Sequence, residues 1–433
     1  MNILPNPDWR KERESMSDRK KAAKTKPFKK AKSASDRMQE KSSAAPPNKH
    51  PARKSGKKRL AFLIFIVLVV AAGGVTAAAK FGGTTFTGIS ADIKGFFSSF
   101  GNGGGYPYNL SDSTIISAGK IGSGIMVLDN DSLSILNATA KEIAGVQHTF
   151  PNPATNTSNG RVVLFDRASG RFKVISPSGI LFEKDMERNI LAAALGKKGN
   201  VAVAAKSLNA QSDLTVFDKN KKEIFAWECA NERISAVALS ANGKSAAAAV
   251  IGANNAEIYS KVFVFDFDKN EPVAVFDYPA TALIDLKFGS GNTLIAAGDN
   301  LISVISLESG TKQDYSFGTG QLNCLYVHEN GKTAVVLSAF GNELKNDLRV
   351  YSAKGALIFE KSFDQAVRRV SCDENYVSIL FDNEVQTFNE KGRQMGSVTA
   401  DKYTERIISA GKNTYLIEKS SIAKHSAVGM NNS

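Results

Sequence analysis

An all-β fold, a β-propeller of eight blades, is what this sequence predicts, on three observations. The hexapeptide Ile-Ile-Ser-Ala-Gly-Lys occurs at Ile115–Lys120 and again at Ile407–Lys412, and seven repeats of about 42 residues fill the interval, a length typical of propeller blades. Between the two copies the chain reads as short apolar strands broken by Gly, Asn, Asp and Lys turns, with no helical periodicity over any repeat. Small residues gather in the first two strands of a unit (Ala192–Ala194, Ala246–Ala249, Ala296–Gly298), while Phe217 and Phe265 stand in the third. Blades converge on an axis where space tapers, so small side chains belong inside and large ones farther out.

From the N-terminus, residues 1–59 hold 19 Lys/Arg and 6 Asp/Glu, and the rest of the 433-residue chain holds 36 of each. The positive excess therefore belongs to the tail, and a basic nucleic-acid-binding fold is a poor reading of the remainder. The tail is rich in Lys, Ser, Ala and Pro and cannot bury enough apolar surface to offset its ordering entropy, so it is expected to be disordered. Attraction to anionic lipid at about 1 kcal/mol per basic residue is one role for it, and a solvated topology signal is the plainer one.

Leu60–Ala79 is 20 residues without a charge, which as a helix spans about 30 Å, the thickness of a bilayer core. Lys57, Lys58 and Arg59 abut its start and Lys80 alone follows it. This asymmetry predicts a single-pass membrane anchor with a cytoplasmic N-terminus and an extracellular C-terminal domain. Ala77–Ala79 offers a small-residue cleavage site as the alternative. In the linker, residues 80–105, Ile89, Ile93, Phe96, Phe97 and Phe100 fall on one helical face, and Asn102–Gly105 reads as a flexible break.

The propeller is expected over 106–425, with a disordered C-terminus at 426–433. Seven full units start near residues 111, 150, 188, 232, 280, 319 and 365, and an eighth, near Tyr403, shows two clear strands. The second unit has a degraded first strand (Phe150–Gly160). Tyr106–Leu110 can supply the outer strand of the last blade, closing the ring and removing exposed sheet edges. The alternative is seven blades with the last strands as an appendage.

The stretches Tyr106–Ser117, Ser212–Trp227, Ile234–Val250 and Ser260–Phe276 resemble the uncharacterised membrane-anchored propeller proteins of Gram-positive bacteria, whose domain carries an unknown-function label. The resemblance covers roughly residues 58–420. It implies a WD40-like or quinoprotein-like propeller outside a bacterial membrane, and it implies no activity.

Motifs of chemistry are sparse. Gly243-Lys244-Ser245 and Gly331-Lys332-Thr333 resemble the end of a phosphate-binding loop, but Ala238 and Tyr326 replace its first glycine. Both sit at the same point of two repeats and read as hairpin turns. Asp266-Phe267-Asp268-Lys269-Asn270 opens like a calcium loop, but Glu271 stands where Gly is needed. Cys229, Cys324 and Cys372 lack metal or disulfide spacing and read as buried thiols. His148, His328 and His425 are far apart, and Trp227 is the domain's single Trp, where a quinone-cofactor propeller has recurring Trp motifs. No catalytic residue, metal or cofactor is therefore assigned.

One pattern remains. Glu187-Arg188, Glu232-Arg233 and Glu405-Arg406 each precede the first strand of a unit, and Arg368-Arg369 occupies the same place. Innermost strands line a propeller's channel, so their starts surround one mouth. Arg188, Arg233, Arg368, Arg369 and Arg406 are the expected ring for an anionic ligand or an acidic partner surface; local Glu–Arg pairing is the bland alternative. The expected function is a membrane-tethered binding or scaffold module for an extracytoplasmic protein or glycan. The alternatives are an enzyme, a lyase or hydrolase, at the channel mouth, and a sensor that relays an outside ligand to the tail.

Overall fold

The computed structural model describes residues 101–110 and 114–427. The expected tail, the 60–79 span with Lys57, Lys58 and Arg59, the linker helix and the end of the C-terminus lie outside the described residues. Among those described, 32 strands, numbered in chain order, form eight four-stranded antiparallel sheets. Blades 1 to 7 occupy residues 115–147, 153–185, 190–229, 233–279, 283–316, 321–364 and 369–399. Their innermost strands are β2 (Ile115–Ile121), β6 (Pro153–Ser158), β10 (Ile190–Leu195), β14 (Arg233–Leu239), β18 (Leu283–Phe288), β22 (Gln321–Val327) and β26 (Arg369–Cys372).

Blade 8 is built from both chain ends. β1 (Tyr108–Asn109) pairs with β32 (Ser421–Ser426), which pairs with β31 (Asn413–Ile417) and then with the innermost β30 (Arg406–Ala410). The eighth unit thus supplies three strands rather than the two its sequence displays. β32 was missed because in Ser-Ile-Ala-Lys-His-Ser only Ile422 is fully buried. The Leu110 amide donates to the Ser420 carbonyl at 2.8 Å, and the Tyr106 ring meets Tyr415 edge-on at 5.2 Å. The second unit's weak first strand does form, as β6. All eight innermost strands begin within four residues of the expected starts.

Packing between blades follows from strand alternation. In blade 4, β15 (Ser245–Asn254) and β16 (Glu257–Asp266) send Ala246, Ala248 and Phe265 toward blade 3, and Ala247, Ala249, Val262 and Val264 toward blade 5. Ala246 through Ala249 are completely buried, so both faces of the second strand are core, as the taper requires. Five innermost strands carry a register shift just after their start, between Ile115/Ser117, Ile190/Ala192, Ile234/Ala236, Leu283/Asp285 and Leu322/Cys324. Such bulges increase local twist and remove a backbone carbonyl from the ladder.

The turns explain the lookalike motifs. Gly243 and Gly331 take φ of +75° and +95°, the left-handed region that Gly enters without penalty; both sit in hairpins joining a first to a second strand. Asp218 accepts the amides of Asn220 and Lys222 at 2.8 and 2.9 Å, and Asn389 those of Lys391 and Arg393 at 2.9 and 3.1 Å. The recurring Asp/Asn-Lys punctuation is thus side-chain capping of third-to-fourth strand turns.

All three cysteines are free; Cys229 and Cys372 are buried as expected, whereas Cys324 is half-buried, with its thiol turned into the contact between blades 6 and 7. Burial pushes the Cys324 thiol up to about 12, partly opposed by Arg369, and burial does the same to Cys372, opposed by Lys332. At pH 8 iodoacetamide is expected to leave both unmodified in the folded chain and to alkylate all three thiols in urea; rapid labelling of Cys372 in the folded chain would contradict this burial. Because folding holds these thiols neutral, their contribution to stability is intact below about pH 8.5 and is lost as pH rises toward about 12.

Candidate functional site: two unlike mouths of one channel

The ring presents two faces. One carries the connections between blades, the starts of the innermost strands and the hairpins between second and third strands. The other carries the first-to-second and third-to-fourth strand turns.

The arginines lie on the first face. Arg233, Arg369 and Arg406 are the first residues of β14, β26 and β30; Arg188 precedes β10 and Arg368 precedes β26. They do not form an even ring. Arg188 and Arg233 belong to blades 3 and 4, and Arg368, Arg369 and Arg406 to blades 7 and 8, so the two groups oppose each other across eight blades. Arg368 donates to the Thr404 carbonyl of blade 8 at 2.8 Å, and Arg406 donates to the carbonyl of Ile116, the bulge residue of blade 1. Arg188 and Arg369 each donate to the preceding carbonyl, at 2.9 and 2.8 Å.

Among the described residues, the adjacent glutamates make no ion pair with these arginines. Glu232, nearly buried, is taken instead by Lys261 at 3.1 Å and by the Tyr259 hydroxyl at 3.2 Å. The structure brings Arg369 and Arg406 close together: burial first, then the Arg369 charge, lowers the pKa of the Arg406 guanidinium, with Glu405 opposing. The Arg406 Nε is buried and, among the described residues, has no hydrogen-bond partner.

Sequence reasoning missed the apolar component of this face. Leu208, Ile258, Ile284, Phe340, Leu344 and Tyr403 are all exposed here, Phe340 by 81%. Ile258, Phe340 and Leu344 project because two hairpins outgrow the others: β15 with β16 in blade 4, and β23 (Thr333–Ala339) with β24 (Asn342–Tyr351) in blade 6. The expected strands stopped short, at Val250 and Val262 in blade 4. The uninterrupted distance between second and third strands was the available signal.

The second face holds a cavity of about 360 Å³ at the other end of the channel. Its rim is a chain of turns from successive blades. Asn159 Nδ2 donates to the Lys197 carbonyl at 3.0 Å, Asn200 Nδ2 to that of Gly243 at 3.4 Å, and the Ser290 amide to that of Asn330 at 2.9 Å. The described chain also enters the ring on this face. The Asn102–Gly105 run, expected as a flexible break, is held: Gly103 N donates to Thr139 Oγ1 at 3.1 Å and Gly105 N to the Thr139 carbonyl at 3.2 Å. Small size lets this backbone lie flat on the turn; a Cβ at Gly103 would sit 2.3 Å from the Lys141 amide nitrogen.

Among the described residues, no three His, Cys, Asp or Glu side chains gather as metal ligands would. His148 lies in the connection between blades 1 and 2, with Nε2 3.2 Å from the Asp129 carbonyl, and burial lowers its pKa. His328 is in a turn of the second face and His425 is in β32. Asp285, on β18, has its carboxyl pKa raised by burial against the pull of Lys287.

Comparison with known proteins adds the fold and a family. The C-terminal WD40 domain of Sif2 is 13% identical, with a TM-score of 0.54 over 73% of this chain and 97% of that one. Sqt1 of Chaetomium thermophilum, solved bound to the N-terminus of ribosomal protein L10, is 11% identical, with a TM-score of 0.51 over 74% and 98%. Sqt1 of Saccharomyces cerevisiae is 9% identical, with a TM-score of 0.50 over 74% and 98%. At such identities the likeness is one of fold. The comparison with curated proteins returned no match. The blades described above coincide with the model of a family of unknown function, DUF5711, which matches residues 107–425, and the chain belongs to that family.

Proposed function

We propose that this protein is a membrane-tethered binding module whose arginine-bearing face docks an acidic, partly apolar segment of a protein partner outside the cell. The observation that carries the reading is the combination on one face: two opposed arginine groups without ion-paired carboxylates among the described residues, flanked by exposed Ile258, Ile284, Phe340 and Tyr403. Apolar anchors with arginine nearby are the composition of protein-binding hot spots. Related propeller folds include one solved with a ribosomal protein's N-terminus, which supports a protein partner in kind.

Arg233 and Arg369 are both exposed, so replacing them with Gln leaves the fold intact. Capture of partners by the full chain from its native membranes is expected to lose its specific protein with R233Q/R369Q, and separately with Phe340→Ser. An unchanged set of captured proteins in both variants would overturn the assignment. Protease added to intact cells should digest the propeller; protection until lysis would place it inside.

A further inference from the structure

We propose that the cavity on the opposite face is a second, independent site, and that it takes a single acidic sugar. Side-chain amides from three blades line it. Asn156 Oδ1 accepts the Leu195 amide at 3.1 Å. Asn242 Oδ1 accepts the Lys244 amide at 2.9 Å and the Ser240 hydroxyl at 2.7 Å. Asn330 Oδ1 accepts the Lys332 amide at 2.9 Å. In each case the acceptor half of the side chain is committed to the fold, and among the described residues no protein acceptor meets the Nδ2 group. Three blades therefore bring side-chain amides whose uncommitted groups are donors to the cavity lining.

The cations point the same way. Lys197 and Lys287 line the cavity; among the described residues Lys197 has no carboxylate within ion-pair distance, and Lys287 acts electrostatically on the Asp285 carboxyl without closing to ion-pair distance. Among the described residues, Glu329 is the one acidic side chain in the lining. A donor-rich cavity lined by two ammonium groups, neither closed into an ion pair among the described residues, selects an oxygen-rich anion. Its volume of about 360 Å³ lies at the low end for small-molecule sites and is too small for a folded segment. Phe288 lines one side and offers an apolar surface to the C–H face of a sugar ring. Lysine for the acid group, amides for hydroxyls and an aromatic for the ring together describe a carboxylate- or phosphate-bearing hexose.

The test is calorimetric titration of the full chain in detergent micelles with glucuronate, galacturonate and glucose 6-phosphate, with glucose and inorganic phosphate as comparison arms. At least one acidic sugar is expected to bind at least tenfold more tightly than either glucose or phosphate. K197Q/K287Q is expected to weaken it at least tenfold, while R233Q/R369Q leaves it unchanged, which separates this site from the arginine mouth. Lys197 is exposed, and Asn242→Asp provides a second probe: it keeps the turn's acceptor oxygen, replaces the donor with a negative charge, and should also abolish binding. The proposal fails if none of the three acidic sugars binds, if phosphate alone binds as tightly, or if the lysine pair can be replaced without effect.

Discussion

Replacing Phe265 with Ala is expected to lower stability by about 3–5 kcal/mol, seen as a large drop in the urea midpoint and in Tm. Phe265 is completely buried on the blade 3 side of β16, among Leu214, Val216 and Ala248. Its ring centroid lies 4.8 Å from that of Trp227 and 5.2 Å from that of Phe225. Small residues surround the axis, but the outer part of the blade 3–blade 4 contact is filled by these aromatics, so truncation leaves a cavity that rigid neighbouring sheets cannot collapse to fill. Phe340→Ala on the exposed hairpin is the comparison and should change stability by no more than about 0.5 kcal/mol. Equal effects from the two would show that Phe265 is not core.

The second large effect concerns closure. A chain beginning at residue 111 is expected to melt well below one beginning at residue 101 and to self-associate, whereas the longer chain stays monodisperse. Removing 101–110 deletes β1, with its pairs Tyr108↔Ile422 and Asn109↔Ser421, together with the Tyr106 ring against Tyr415 and the Tyr106 hydroxyl donated to the Asn137 carbonyl at 3.1 Å. The lost apolar burial amounts to about 3 kcal/mol, given that both tyrosines are only half-buried. The deletion also bares the outer edge of β32, an unpaired strand ready to join another chain. Thermal melts and light scattering on the two truncations decide it: identical melting and mass would mean that β1 is not the closing strand.

Phe265 and β1 also mark how far local pattern reaches. The punctuation by Asn, Gly and Lys, the alanine-rich second strands and the repeated Ile-Ile-Ser-Ala-Gly-Lys gave the blades and their number, because turn chemistry and the taper toward the axis act within one repeat. The five arginines were legible as residues at equivalent points of repeats. Their arrangement was not. Opposition of blades 3 and 4 to blades 7 and 8 depends on ring closure, and closure is made by β1 pairing with β32, strands separated by almost the whole domain. Arg406 shows the same limit, since it reaches the bulge carbonyl of Ile116 only because the last blade sits against the first.

The cavity was invisible for a related reason. Its amides come from β6, the turn after β14 and the turn after β22, three repeats in which Asn reads equally well as turn punctuation. By itself the sequence determined the repeat, the strand order within the first seven blades and the chemistry of the Asx and glycine turns, because those follow from interactions between residues a few positions apart. Tertiary structure decided which side chains share a mouth, which arginines crowd one another and which amides keep a free donor, because those depend on blades brought together only when the ring closes.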